Sequence, residues 1–531
     1  MSRVIVIGLD GATLSVIREV TEKFELPNLA KVLKEGNSGI LESTIPYVSP
    51  PGWISMVTGV NPGKHGIYDF LRLTKENSLK PVCFNDCQVK ALWNILSENE
   101  KRVVIVNIPV TYPASEVNGI FISGPFAPKV SAYPKEWERK LLKLGYKHET
   151  LALEFKAEKF SKESLVERLV SIERSRRDVF VKLLKEEKWD FYMAVFTFPD
   201  RSQHFGLDDT RNFSCFYEML DAFLGDVIAE MDKDDLLMIV SDHGCAPISK
   251  CILINRWLID KRLLVLKQSK LGKILRIIGL TKERLQSNRL ITNIFSRLCR
   301  YIPSLHSAAF KLLEFIPSEK VSFDLRRVDF EKSQAFAYGS QPGCFINIIS
   351  HDPAEHKQSF KSIKDSLLAM KDPAGGRKCV KKVHSPGDIY QGPWTRLAPD
   401  MIIEPEKGYI LDSRYIGSKG VLTKDTGVKR GSHALEGLIL TYGVDIRKDN
   451  NMRAKIVDIA PTILHHIGLP VPVNMDGRFL REIFHKNSEP AKREVIYQDV
   501  KEEKEKGGPR EGLTKQDEEE VKKRLRDLGY L

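Results

Sequence analysis

The stretch that decides the fold is VIVIGLDG, residues 4–11. Its apolar run from Val4 to Leu9 is too short for an independent helix and stops at Asp10 and Gly11. It reads as a buried parallel strand that delivers a carboxylate at its carboxyl end. Three later fragments repeat the design. FYMAVFTFPDRSQH (191–204) closes an apolar run with Pro199 and sets Asp200 and His204 four positions apart, so that on a helical turn both reach the same ion. LLMIVSDHG (236–244) ends a strand on the adjacent Asp242 and His243, and GSHALEG (431–437) sets His433 between small residues. In open α/β sheets ligands bind outside the carboxyl ends of the strands, so the fragments can converge in one crevice. Singly, an Asp after a strand is ordinarily a cap or turn residue, and a lone His is ordinarily structural. As a set, the six side chains fit two divalent ions, zinc or manganese, held by mixed carboxylate and imidazole ligands.

A metal pair needs a group to activate, and TIPYVSPPGWISMVTGVNPGKHGIYDF (44–70) offers one. Ser49 precedes Pro50, Pro51 and Gly52, and Trp53 to Val57 reads as a helix start packed on the core. A hydroxyl there meets unpaired backbone N–H groups and a positive dipole end, a seat for a phosphate oxygen. The same position suits an N-capping serine, and Thr44 is a competing nucleophile. Lys64 and His65 in NPGKHG read as a helix-ending turn with a solvated lysine. Asn107, ending the strand RVVIVNIP, is either a substrate contact or a turn residue before Pro109.

In these motifs the chain resembles the alkaline phosphatase superfamily, most closely its type I phosphodiesterase and nucleotide pyrophosphatase branch and related phosphohydrolases. The likeness covers most of the chain. It is carried by LDG at Asp10, the run Ser49 to Ile67, DRSQH at 200–204, SDHG at Asp242 and His243, GSH at His433, DIAPTILHHIGLPVP at 458–472 and the terminal RLRDLGYL. The resemblance implies an alkaline-phosphatase-like three-layer α/β/α fold with a mostly parallel sheet and an inserted helical cap. It also implies one ion on Asp10, Asp242 and His243 with Ser49 bound to it as nucleophile, and a second ion on Asp200, His204 and His433. Counting back from VTG, the family nucleophile falls on Ser49, and Thr44 falls too early. Nucleotide pyrophosphatases carry an Asn three residues after the nucleophile, where this chain has Gly52, a second candidate for contact with the substrate.

At 531 residues the chain exceeds what one core usually organises. Strands near 3–9, 102–107, 191–197 and 235–241 alternate with helices, notably Ser164 to Glu187, as in a mostly parallel sheet covered on both faces. The sheet is expected to resume around Ala335–Ala337, Cys344–Ile349, Met401–Ile403 and Gly437–Tyr442, followed by a helix from Ile456 to Ile467 closed by Gly468. The expected division is a catalytic core over 1–249 and 330–486, a basic helical cap over 250–329, and a charged linker with a C-terminal helix over 487–531, docking through Leu525, Leu528 and Tyr530. The cap carries 17 Lys and Arg against 6 Asp and Glu, 17 − 6 = +11 of the chain's formal +12. It reads as short amphipathic helices such as Leu271–Leu280 and Ile291–Tyr301. They would steer anionic substrates, touch an anionic membrane surface, or present a solvated basic face.

No nucleic-acid module is recognisable. No run of about 18 apolar residues offers a transmembrane span, and the start leaves no room for a secretory signal, so a cytoplasmic location is expected. Eight cysteines form no regular framework and are expected as reduced thiols; Cys83 and Cys87 lack the second pair of a zinc knuckle, and Cys245 reads as a small buried hydrophobe. The expected function is a two-metal phosphohydrolase using a covalent phosphoserine on phosphodiesters or nucleotide pyrophosphates. A phosphomonoesterase or cofactor-independent phosphomutase is the rival within this chemistry, and a non-catalytic binder of phosphorylated ligands the rival outside it. A sulfatase is disfavoured because SPPGW lacks the arginine of a CxPxR-like sequence.

Overall fold

The computed structural model describes all residues except 1, 149–160, 207–209, 268–322, 341–342, 351, 415, 417–419, 425–429, 500–512 and 528–531. Nine strands make the central sheet: Val4–Leu9 (β1), Asn37–Glu42 (β2), Val103–Ile108 (β3), Gly119–Ser123 (β4), Ala132–Tyr133 (β5), Phe191–Phe196 (β6), Leu236–Val240 (β7), Glu436–Tyr442 (β8) and Asp449–Lys455 (β9). Across the sheet their order is β9-β2-β8-β7-β1-β6-β3-β4-β5. β1 lies between β7 and β6 and is parallel to both, and β6, β3 and β4 continue the parallel run. β8 runs antiparallel to both of its neighbours.

The sheet is covered on both faces because its apolar strands feed two cores by alternation. Val4 and Val6 of β1 pack into one core with Trp53, Trp93 and Ile463, while Ile5, Ile7 and Leu9 pack into the other with Phe180, Phe216 and Phe223. Helices Ser49–Thr58 (α1) and Ile459–Ile467 (α4) lie on the first side. Helix Lys162–Glu186 (α2), capped at Ser161, lies on the second with the helix Thr210–Glu230. The remaining helices that bear on the site and the tail are Phe198–His204 (α3) and Lys515–Asp527 (α5). α4 is shorter than the expected helix from Ile456: a 3₁₀ turn over Ile456–Asp458 precedes it, and Gly468 ends it with φ of 89°.

One expectation is corrected. Ala335–Tyr338, Phe345–Ile348 and Met401–Pro405 do not resume the central sheet; with Val380–His384 they form a separate four-stranded sheet, antiparallel throughout. Only β8 of the later strands expected there joins the central sheet. A short apolar strand carries the same pattern whichever sheet it enters, and pairing is decided by distant partners. This sheet has its own core, in which Phe336, Ile346 and Met401 pack with Ile252, Trp257 and Leu411. Lys250–Leu253 pairs parallel to Tyr409–Asp412, so the described start of the basic segment is strand and short helix. The helices expected at 271–280 and 291–301 lie outside the described residues.

α5 docks as expected through Leu525, joined by Val521, both buried. Arg524 donates from Nη1 to Ala127 O at 2.5 Å and from Nη2 to Pro128 O at 3.0 Å. Leu528 and Tyr530 lie outside the described residues.

Candidate active site

Three adjacent strands deliver their charged residues to one edge of the sheet. Asp10 follows β1, Asp242 and His243 follow β7, and β6 leads into α3, which carries Asp200 and His204. His433 arrives on the strand Gly431–Ala434, antiparallel to Gly244–Pro247, with His433 opposite Cys245. All six side chains are buried.

They form two abutting groups. His243 Nε2 lies 3.3 Å from Asp242 Oδ2 and 3.7 Å from Asp10 Oδ1. Asp200 Oδ1 lies 3.0 Å from His204 Nε2 and 3.3 Å from His433 Nε2. The rings of His243 and His433 stack at 3.6 Å and join the groups. Ligand atoms of Asp10, Asp242 and His243 all fall within 4.8 Å of one another, as do those of Asp200, His243 and His433.

The histidines show what the cluster is built for. Each turns Nδ1 to a backbone carbonyl: His204 to Gly431 at 3.1 Å, His243 to Gly244 at 2.9 Å and His433 to Tyr47 at 3.1 Å. A carbonyl only accepts, so each Nδ1 carries a proton and each ring turns its Nε2 inward. That is the usual second contact of a metal-binding histidine. His204 Nε2 and His433 Nε2 are 3.0 Å apart and both face Asp200 Oδ1; burial of Asp200 is outweighed by these two histidines, which hold its carboxyl well below the usual carboxylate range. Burial, helped by His243, pushes His433 well below the usual imidazole range. Burial, helped by the other carboxylates, pushes Asp10 and Asp242 well above the usual carboxylate range. Asp10 Oδ1 and Asp242 Oδ2 are buried without a hydrogen bond. Buried acceptors with one face unsatisfied, beside imidazoles that turn Nε2 toward them, suit divalent cations of the zinc and manganese type.

Ser49 is the first residue of α1 and does not cap it: the cap is Val48, without a side-chain bond. The Ser49 hydroxyl is buried and lies 3.3 Å from His243 Nε2, to which it donates. Thr44 is half-buried, upstream of this point. The expected amide cradle is corrected. Pro50 and Pro51 have no N–H, and Gly52 N donates to Val48 O at 3.0 Å, so Gly52 offers a substrate neither a side chain nor its amide. Gly52 is there for packing: a Cβ would stand 3.2 Å from Asp242 Cβ and from Asp242 O.

Asn107 is also corrected as a substrate contact. It is fully buried with φ of 65°, donates from Nδ2 to Val195 O at 2.6 Å, and accepts from Tyr146 Oη at 3.4 Å. Both ends of its amide are spent on the fold. Lys64 is half-buried in the expected helix-ending turn, where it pairs with Asp476 and donates to Asn474 O at 2.8 Å. His65 is buried and structural, with Nε2 donating to Ser55 Oγ at 2.9 Å and Nδ1 accepting from Ile67 N at 3.1 Å. Cys245 is half-buried rather than buried.

Several residues at the site were not singled out from sequence. Trp53, one turn after Ser49, donates from Nε1 to Asp10 Oδ2 at 3.2 Å. Its ring occupies the space over Gly8, where a Cβ would meet it at 2.5 Å. Gly11, at φ of 69°, donates to Asp242 Oδ1 at 3.2 Å and accepts from Gln203 Nε2 at 3.0 Å. Arg201 is buried with its guanidinium carbon 5.3 Å from the Phe126 ring centroid, and its charge favours ionised Asp10. Its place directly after Asp200 was the available signal.

The sequence profile of the type I phosphodiesterase / nucleotide pyrophosphatase family matches residues 4–433, a span that holds Ser49 and all six ligand candidates. The chain belongs to that family. As a type I phosphodiesterase / nucleotide pyrophosphatase it is an enzyme that hydrolyses phosphoric esters, and the motifs' likeness to the alkaline phosphatase superfamily holds. No curated protein matches it in sequence. Among solved structures it is similar to human ectonucleotide pyrophosphatase / phosphodiesterase 5, with a TM-score of 0.51 and 13% identity over 92% of this chain and 100% of that one. It is also similar to phosphonoacetate hydrolase from Sinorhizobium meliloti 1021 in complex with phosphonoformate, with a TM-score of 0.54 and 13% identity over 88% of this chain and 95% of that one. At such identity these likenesses establish the alkaline-phosphatase-like α/β fold of this family member. Among the described residues no helix is long and apolar enough to cross a membrane.

Proposed function

We propose that this enzyme is a two-metal phosphohydrolase that works through a covalent phosphoserine on Ser49, with phosphodiesters or nucleotide pyrophosphates as substrates. The observation that carries the reading is the Ser49 hydroxyl held 3.3 Å from His243 Nε2, beside the ring stack that joins the two ligand groups. Asp10, Asp242, His243 and Ser49 would hold one cation, and Asp200, His204 and His433 the other, with zinc favoured and manganese the alternative. When bound, such cations lower the pKa of the serine hydroxyl and of a water, and screen the charge of the phosphoryl oxygens.

The residues of the chain divide the remaining work. Ser49 Oγ attacks phosphorus as the bond to the leaving oxygen breaks, and water then attacks the phosphoserine, releasing phosphate or a phosphomonoester and restoring the hydroxyl. Two displacements leave the configuration at phosphorus unchanged. Trp53 and Gly11 fix the carboxylates of Asp10 and Asp242, which limits reorganisation as charge develops. With no amide to offer at Pro50, Pro51 or Gly52, α1 leaves a place for a charged group, and Arg201 is the protein group we assign to the phosphoryl oxygens, by its burial beside Asp200 and its pull on Asp10. The nucleotide class follows the family description; Gly52 leaves this chain without the asparagine of that branch. The basic segment over 250–329, whose described ends pack into the core of the second sheet, would draw in anionic substrates by its charge, between core segments at 1–249 and 330–486. Free thiols at the seven described cysteines accord with work in the cytoplasm.

The test is turnover of bis-p-nitrophenyl phosphate against p-nitrophenyl phosphate, with zinc and with manganese. Preference for the diester is expected. Preference for the monoester would overturn the substrate class, and silence with both metals would overturn the two-metal reading.

A further inference from the structure

α3 carries Asp200, Arg201 and His204, yet it has only seven residues and its N-cap, Thr197, makes no side-chain capping bond to it. A helix that short has little stability of its own. What restrains it lies behind it on α2. Glu173 Oε1 accepts from Thr197 N at 3.0 Å, from Thr197 Oγ1 at 2.8 Å and from Arg176 Nη1 at 3.1 Å. Arg176 Nη1 also donates to Thr197 Oγ1 at 2.9 Å, and its Nε donates to Lys147 O at 3.1 Å. Glu173 is 2% exposed, Arg176 0% and Thr197 3%. On the strand side, the amide of Asn107 holds Val195 O, two residues before Thr197.

A buried ion pair is a poor way to stabilise a fold, because desolvation offsets most of the attraction and apolar residues of similar volume serve as well. Its value lies in geometry, since charge-assisted bonds to one amide and one hydroxyl fix a backbone point in direction as well as distance. That point is three residues ahead of Asp200, where the chain leaves β6 and enters α3.

We infer that the Glu173–Arg176 pair is a positioning device: by clamping Thr197 it sets the angle at which α3 presents Asp200 and His204 to the cation they share with His433. The inference rests on the two-cation function above and adds the residues that make the second ligand group rigid. Groups that orient a metal's ligands change its affinity by roughly 10–100-fold when removed.

The experiment is zinc titration of the metal-stripped full chain against a competing chromophoric chelator, with circular dichroism confirming the fold of each variant. Wild type is expected to bind two zinc ions. Glu173→Ala should weaken one site by roughly 10–100-fold and spare the other. Glu173→Gln, which keeps an acceptor for Thr197, should recover most of the loss. The weakened site should be the one removed in His204→Ala, so that the double variant loses nothing further. If Glu173→Ala does not fold, Thr197→Val, which removes the hydroxyl alone, should show a smaller loss at the same site. Two unchanged sites in a folded Ala or Val variant, or equal weakening of both, would overturn the clamp. Wild type that binds no zinc would overturn the two-cation function, and this inference with it.

Discussion

Ser49 donates its hydroxyl to His243 Nε2 and makes no capping bond, so its removal should cost chemistry and little else. Ser49→Ala is expected to lower kcat to background while both metals remain bound and the melting temperature stays close to wild type; metal analysis and a phosphatase assay check it. At this scale the site was legible where chemistry is concentrated in residue type. Carboxylates and imidazoles at the ends of apolar runs have few other uses in such numbers, and all six meet. Trp53 escaped notice because an indole in a helix start reads as core, and it is core, with only Nε1 turned to Asp10. Asn107 misled because a polar residue closing a strand looks available. Its left-handed backbone and its bond to Val195 O depend on a neighbouring strand that no local pattern shows.

Between α1 and the turn that follows it, His65 ties Ser55 to Ile67 as a neutral ring, and burial pushes its pKa down to about 3. A histidine whose folded pKa lies below its unfolded value contributes stability that is present above about pH 6.5 and is lost as the pH falls towards the folded value. Burial also pushes His466 down, to about 4, and it acts in the same sense. Asp69, pushed up to about 6 by burial, acts in the opposite sense, losing stability as pH rises from about 4 to 6. The share of His65 is therefore best isolated by difference. His65→Gln should be destabilised by a few kcal/mol at neutral pH, and the gap from wild type should narrow on acidification, at about 1.4 kcal/mol per pH unit below pH 6.5. Urea unfolding at several pH values measures it; a gap independent of pH would remove the neutral-ring account. Elements were legible where the apolar period was strong: β1, β3, β6, β7 and α2 all fall close to their expected bounds. The second sheet was not recognised as separate, because strands such as Ala335–Tyr338 state their burial but not their partners.

Across the whole molecule, the C-terminal helix packs over a small apolar pocket lined by Phe70, Val82, Phe126, Val521 and Leu525 among others. Leu525→Ala should destabilise the protein by about 2–5 kcal/mol, read from denaturant midpoints, with no change in metal content. Charge is as uneven as structure, with +11 of the formal +12 carried by residues 250–329. If that segment draws substrate in, kcat/KM should fall with added salt while kcat holds, and a flat salt profile would reduce it to a solvated face. The order of the ligands along the polypeptide has a further outcome during synthesis. Asp10, Asp242 and His243 are complete once residue 243 has left the ribosome, whereas the partner group of Asp200 and His204 waits for His433. If each group holds a cation as proposed, the ligands of the first are synthesised long before those of the second. Yet α1, which carries Ser49, packs on α4, and β8 beside β7 is also made later, so the site takes its final form only when the chain is nearly complete.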